Sequence, residues 1–182
     1  MKLYRVFPYD TGASPNDGGG ALFVPAPSGS SRIDNPDLYR VLYAATEPQG
    51  AIAETFGRLA VWRRATFVHS SGRPYALATL EAPDELQLFD LNDVETLQRI
   101  GIARPTDVVT RDRTITQAWA RNIFELGGFS GARWWSFYNP DWSIAGLWTH
   151  DRVTLVRSPQ ILTAEGPIIR EAAATIVRQV TF

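Results

Sequence analysis

Strand-like runs recur along this chain more often than helical ones, and the two never settle into a regular βαβ alternation. That pattern favours an α+β fold, a single mixed domain over residues 1–182 with a central, mostly antiparallel sheet flanked by a few helices, over a doubly wound parallel sheet. Residues 2–8 read as the first strand and Leu38–Ala45 as the second, with 73–91 as strand material broken at Pro83-Asp84. Further strands are predicted over Ala132–Tyr138, Ile144–Trp148 and Val153–Val156, the last leading towards Ile161-Leu162. Helices are predicted from Pro48 to about Val61, Asp93 to Ile100, Thr114 to Gly127-Gly128, and Pro167 to about Val177. In the first of them Ile52, Phe56, Leu59 and Ala60 recur at spacings of three and four, the mark of an apolar stripe.

Between the first two strands, residues 9–37 hold much of the chain's turn chemistry: Gly18-Gly19-Gly20, Pro25, Pro27, Ser28-Gly29-Ser30-Ser31 and Pro36. Only Ala21–Val24 reads as a brief strand there. An irregular connection of this length inside a compact domain usually serves binding. Residues 101–113 form a second polar connector, with Pro105 and three arginines.

Composition narrows the function. With 45 % apolar residues and no cysteine, the chain can bury a core without disulfides, as suits a reducing compartment. Eighteen basic against nineteen acidic side chains argue against bulk electrostatic binding to nucleic acid. No stretch approaches the roughly 18 consecutive apolar residues of a membrane span, and the N-terminus shows no leader pattern, so the expected location is the cytoplasm. The two histidines, His69 and His150, lie far apart with no HExxH between them, and no metal site is expected. No serine occupies a GxSxG elbow, and Gly18-Gly19-Gly20 precedes no helix, so neither a histidine-based triad nor a nucleotide fingerprint is present.

What remains is a set of polar residues in apolar surroundings. Arg5 shares a strand face with Leu3 and Phe7, so it either lines a pocket or pairs with a buried carboxylate. Glu54 lies about 200° round the helix from Ile52, either facing solvent and pairing with Arg58 at i,i+4, or serving a site. Ser136, within Trp134-Trp135-Ser136-Phe137-Tyr138, is either a small core filler or a hydroxyl at the floor of an aromatic-walled pocket. Seventeen of the eighteen basic residues are arginine, either a compositional bias or a set of forks for phosphate.

This order of arginine, glutamate and serine resembles the RES domain, a family found in bacterial toxins. Leu3-Tyr4-Arg5-Val6 is similar to its opening strand, and Ser30-Ser31-Arg32-Ile33-Asp34-Asn35-Pro36 to its Gly-Gly-Arg-aromatic-Asn/Asp-Pro loop. The segment from Val41 to Glu54, with Tyr43 eleven positions before Glu54, resembles the strand-to-helix passage of the family. Gly131–Pro140 resembles the segment in which the serine follows an aromatic and precedes Asn-Pro. The chain departs from the pattern at Ser30, Ser31 and Ile33, at Trp135, where a tyrosine is usual, and in a longer loop between Arg5 and Arg32.

The resemblance implies an ADP-ribosyltransferase-like fold and chemistry on NAD+: cleavage of the nicotinamide–ribose bond by water or phosphate, with NAD+ as substrate and no metal or prosthetic group. It implies Glu54, Arg5 and Ser136 as catalytic, and Arg32, Tyr43, Trp135 and Asn139 as cofactor-binding residues. Glu54 would stabilise the positive charge on the ribose, and Arg5 and Arg32 would hold the pyrophosphate or an incoming phosphate. Tyr43, Trp134 and Trp135 would offer flat walls, and Ser136 would fix a ribose or phosphate oxygen. The implied partner is a helix-turn-helix, Xre-type antitoxin, with no direct binding of nucleic acid and no membrane. Two alternatives stay open: a mono-ADP-ribosyltransferase acting on a protein, and a non-enzymatic module that binds through strand 134–138 and Arg63-Arg64.

Overall fold

The computed structural model describes all of residues 1–182. In chain order the first half runs β1 (Lys2–Pro8), β2 (Leu42–Ala45), α1 (Pro48–Phe56), β3 (Val61–Trp62), β4 (Tyr75–Glu81), β5 (Leu88–Asp90) and α2 (Val94–Arg99). The second half runs α3 (Thr106–Val109), α4 (Arg113–Leu126), β6 (Gly131–Trp135), β7 (Ser143–Leu147), β8 (Thr154–Leu155), β9 (Gln160–Ile161), α5 (Pro167–Thr175) and β10 (Gln179–Val180). The main sheet has the order β5-β6-β7-β2-β1-β4-β8, with β9 also on β4. Every pair in it is antiparallel except β5 with β6. The expected mostly antiparallel α+β sheet is therefore what forms.

Strand alternation divides the core into two layers. Leu3, Phe7, Leu42, Ala44 and Leu80 bury on one face beneath the turn-rich segment, which contributes Ala21 and Val24. On the other face Ala45, Trp134 and Ile144 meet α1 (Ile52, Phe56), α4 (Trp119, Ile123) and α5 (Ile169). The turn-rich segment serves both layers, because Ile33 packs on the helical side. There Ile33 rests against Gly146: a Cβ at Gly146 would lie 2.3 Å from Ile33 Cδ1 and would push the end of that side chain aside.

One irregularity in the sheet positions everything that follows. β1 pairs with β4 along its whole length, Lys2↔Glu81 to Pro8↔Tyr75. Against β2 it pairs only at Tyr4↔Ala45. Past that position the two central strands part, and the gap opens a cleft in the middle of the sheet.

Several boundaries differ from the sequence expectation. No strand forms over Ala21–Val24; the segment turns, and Arg5 instead takes the carbonyls of Ala21 and Phe23, the alternate pair a neighbouring strand would use. The second strand begins at Leu42, since 38–40 are drawn into a turn by Leu38 and Tyr39 N–H bonds to the Asn35 carbonyl. α1 stops at Phe56, not Val61, because Trp62 Nε1–H caps the Phe56 carbonyl at 3.1 Å and Arg178 Nε–H the Gly57 carbonyl at 2.8 Å. Leu59 is left 40 % exposed, outside the stripe. The 101–113 connector contains the short helix α3, and β3 pairs in parallel with β10, a contact with no local signal.

Candidate active site

A cavity of about 480 Å³ fills the cleft, with walls from β1 (Tyr4, Arg5, Val6) and β2 (Tyr43, Ala44, Ala45). The remaining wall comes from the segment around Arg32, from α1, from Arg113 at the start of α4, and from Trp134 of β6.

Glu54 reaches the cavity from α1. The helix starts at Pro48, whose missing N–H costs nothing at that position, and buries Ala51, Ile52 and Phe56, so Glu54 emerges on the far side. It does not ion-pair with Arg58. Instead Ser136 Oγ–H donates to Glu54 Oε1 at 2.6 Å, and the Phe137 backbone N–H donates to the same oxygen at 3.2 Å. Ser136 Oγ accepts in turn from the Tyr138 N–H at 3.1 Å. Ala132, Trp134 and Ser136 alternate onto one buried face, which is why the serine, 2 % exposed, lies under the carboxylate.

Tyr43 presents its ring to the cavity and its hydroxyl to the backbone behind it. The hydroxyl donates to Asp34 Oδ1 at 3.0 Å and accepts from the Ile33 N–H at 3.1 Å. The other oxygen of Asp34 accepts from the Ser31 N–H. Burial, and next the Asp34 charge, push the Tyr43 phenol far above its ordinary range. Asn35 donates to Tyr39 Oη and to the Gln117 carbonyl, while Gln117 Nε2 donates to the carbonyls of Gly29 and Ser31. Asp34 and Asn35 are each 5 % exposed, and partly buried hydrogen bonds tie segment 29–35 to β2 and α4.

The arginines are oriented by carbonyls. Arg32 Nη1 donates to Val108 O at 3.0 Å and Thr110 O at 2.8 Å. Arg5 Nη1 and Nη2 donate to Ala21 O at 2.9 Å and Phe23 O at 2.8 Å, and burial lowers its guanidinium to about 10. Arg5 thus lines the cavity without meeting a carboxylate. Arg58 and Arg113 join Arg5 and Arg32 among the lining residues, and Glu54 is the one carboxylate there. Such a wall attracts an anion and leaves one negative group to meet a positive centre.

Of the residues proposed from sequence, Glu54, Arg5, Arg32 and Tyr43 meet at the cavity, with Ser136 bonded to Glu54. Trp135 and Asn139 do not. Successive strand side chains diverge, so Trp134 takes the cavity wall while Trp135 lies half-buried against the main core. Asn139 Oδ1 accepts from the Asp141 N–H and closes the β6–β7 turn. Arg113, Tyr39 and Gln117 were not singled out from sequence; the arginine content of the 101–113 connector was the one signal for Arg113.

Fold and cleft together describe a mixed α+β domain whose split sheet holds a cationic small-molecule cavity. The RES domain profile matches residues 2–169, and the chain belongs to that family. Among solved structures it is similar to a chain of the crystal structure of the M. tuberculosis MbcT-MbcA toxin-antitoxin complex. That match has a TM-score of 0.62 at 17 % identity, over 95 % of this chain and 88 % of that one. No curated protein matches, and no helix is long and apolar enough to cross a membrane.

Proposed function

We propose that this protein is the toxin of a toxin–antitoxin pair and depletes NAD+ by cleaving its nicotinamide–ribose bond, with water or phosphate as acceptor. The observation that carries this reading is Glu54, held by Ser136 and the Phe137 N–H in a cavity whose other charged lining residues are all arginines. Membership of the RES family supports it, and the solved relative belongs to a toxin–antitoxin complex. The proposed antitoxin is a helix-turn-helix, Xre-type protein.

In this chemistry the C1′–N bond breaks and its electron pair goes to the nicotinamide nitrogen, which leaves neutral. The ribose carbon becomes oxocarbenium-like, and an anionic carboxylate beside it lowers the barrier electrostatically. Two hydrogen bonds to Oε1 keep Glu54 oriented. Water or phosphate then bonds to C1′, water releasing a proton. Arg32 holds phosphate oxygens, and the rings of Tyr43 and Trp134 wall the cavity. The 480 Å³ volume lies within the usual range of small-molecule pockets, about 300–1,000 Å³.

The test is NAD+ consumption by purified protein, with and without phosphate. Glu54→Gln keeps an oxygen to accept from Ser136 and Phe137 but removes the charge. Turnover is expected to fall by about 10²–10³-fold, the range seen when an electrostatic stabiliser is lost, with the melting temperature preserved. A wild type that leaves NAD+ intact, or a glutamine variant of normal turnover, overturns the proposal. A protein-bound ADP-ribose adduct in lysate would instead assign the chain to mono-ADP-ribosyltransferases.

A further inference from the structure

We infer that Arg113, acting beside Arg32, binds the pyrophosphate of the dinucleotide, while Arg5 is a positioning residue behind the wall. This inference rests on the NAD+ reading and assigns a side chain the sequence pattern passes over.

The argument begins with which donors are free. Arg5 has committed both terminal nitrogens to the carbonyls of Ala21 and Phe23, and its side chain leaves β1 on the face of Leu3 and Phe7. Its evident work is to pin the turn-rich segment that leads on to Arg32. Arg113 differs. Its Nε–H donates to the Ser30 carbonyl at 3.2 Å, which aims the guanidinium along the cavity wall, while its Nη1 is buried with no acceptor in the protein. A buried charged donor without a partner is costly, and the cost is relieved when an anion arrives.

Arg32 and Arg113 are also neighbours of like charge. Burial, and after it the proximity of Arg113, lower the proton affinity of Arg32. Glu54 is the sole carboxylate in the wall; its charge partly offsets that of Arg32, but it forms an ion pair with neither arginine, so the pair keeps a net positive charge. A pyrophosphate supplies two negative charges and oxygens suited to two planar forks.

Segment 108–113 explains how the pair is built. Val108 and Thr110 offer their carbonyls to Arg32, and Arg113 begins α4, where Asp112 caps the helix by accepting from the Thr114 N–H. One short stretch therefore orients both cations. Arg58 is held less firmly: it lines the same cavity but is exposed and makes no side-chain hydrogen bond or ion pair.

The experiment is steady-state NAD+ cleavage with ADP as a competitive probe, on wild type, Arg113→Gln and Arg113→Lys. For Arg113→Gln, KM for NAD+ and Ki for ADP are expected to rise together by about tenfold or more, the loss of a charge-assisted bond. The kcat should stay within about threefold and the melting temperature should hold. Arg113→Lys should recover part of the affinity, as a point charge without the fork. Unchanged KM and Ki in Arg113→Gln, beside an active wild type, overturn this inference and leave the NAD+ reading standing. So does a fall in kcat and melting temperature at constant KM, which marks Arg113 as merely structural. A wild type that neither cleaves NAD+ nor binds ADP overturns both.

Discussion

Replacing Tyr43 by phenylalanine separates two roles that sequence alone cannot tell apart. If only the ring matters, as a wall for a flat ligand, the substitution is close to silent. The structure says otherwise, because the hydroxyl joins Asp34 and the Ile33 N–H, and Ile33 is fully buried. Phenylalanine removes a donor from a carboxylate, worth about 1.5–3 kcal/mol, and orphans a buried N–H, worth about 1–3 kcal/mol. The two losses share one site and will not add in full, so about 2–4 kcal/mol is expected. At about 2–4 °C per kcal/mol for a chain of this size, the melting temperature should drop by about 5–15 °C. Thermal and urea unfolding measure it, and a cycle with Asp34→Asn should give a coupling of about 1 kcal/mol or more. Because the same bonds hold Arg32 at the cavity, KM for NAD+ should rise with the loss of stability. A Tyr43→Phe protein melting within about 1 °C of wild type would refute the claim that this hydroxyl organises the segment.

Two further outcomes follow from the backbone and from titration. Val177, 86 % exposed at φ +55°, is the one non-glycine residue in the left-handed region, so Val177→Gly should raise stability by about 1 kcal/mol in urea unfolding. His150 has its proton affinity lowered chiefly by burial, with Asp151 opposing and Arg5 adding to the shift. As pH falls through about 6.5 the unfolded chain takes a proton that the folded chain resists. Stability contributed by neutral His150 is therefore lost from there down to its folded pKa, below which the loss levels off. Melting temperatures between pH 7.5 and 5.5 should fall less steeply in His150→Gln than in wild type; equal slopes would remove His150 from the account.

The parts of the fold readable in the sequence are those whose cause is local. The two faces of β1 follow from Leu3 and Phe7 alternating with Tyr4 and Val6, and the helix starts at Pro48 and Asp93 follow from proline geometry and side-chain capping. What misled was set at a distance. The end of α1 depends on Trp62 and Arg178 reaching its last carbonyls, and Arg178 lies 121 positions from Gly57. For the site, helical periodicity sets Glu54 away from the apolar stripe, whereas the aromatic run around Ser136 leaves its role open between core filler and pocket floor. Their bond spans 82 positions and no local pattern announces it. The parting of β1 from β2, which makes the cavity, has no local signature either.

Seventeen arginines against a single lysine suggested both a compositional bias and a phosphate-binding function, and the structure sorts individual side chains between them. Arg64, Arg73, Arg121 and Arg133 pair with Glu165, Asp10, Asp37 and Asp90, carboxylates that cancel their charge and serve the fold. At the cleft Arg5, Arg32 and Arg113 are instead fixed by five main-chain carbonyls, those of Ala21, Phe23, Val108, Thr110 and Ser30. A carbonyl orients a guanidinium as well as a carboxylate does, yet it leaves the positive charge unneutralised. The free protein therefore holds like charges together in a partly desolvated space, an arrangement that weakens the fold locally and is relieved by an anionic ligand. Anionic ADP should on this reasoning raise the melting temperature, through the linkage of binding to folding. Neutral adenosine, which offers the cations nothing, should raise it far less.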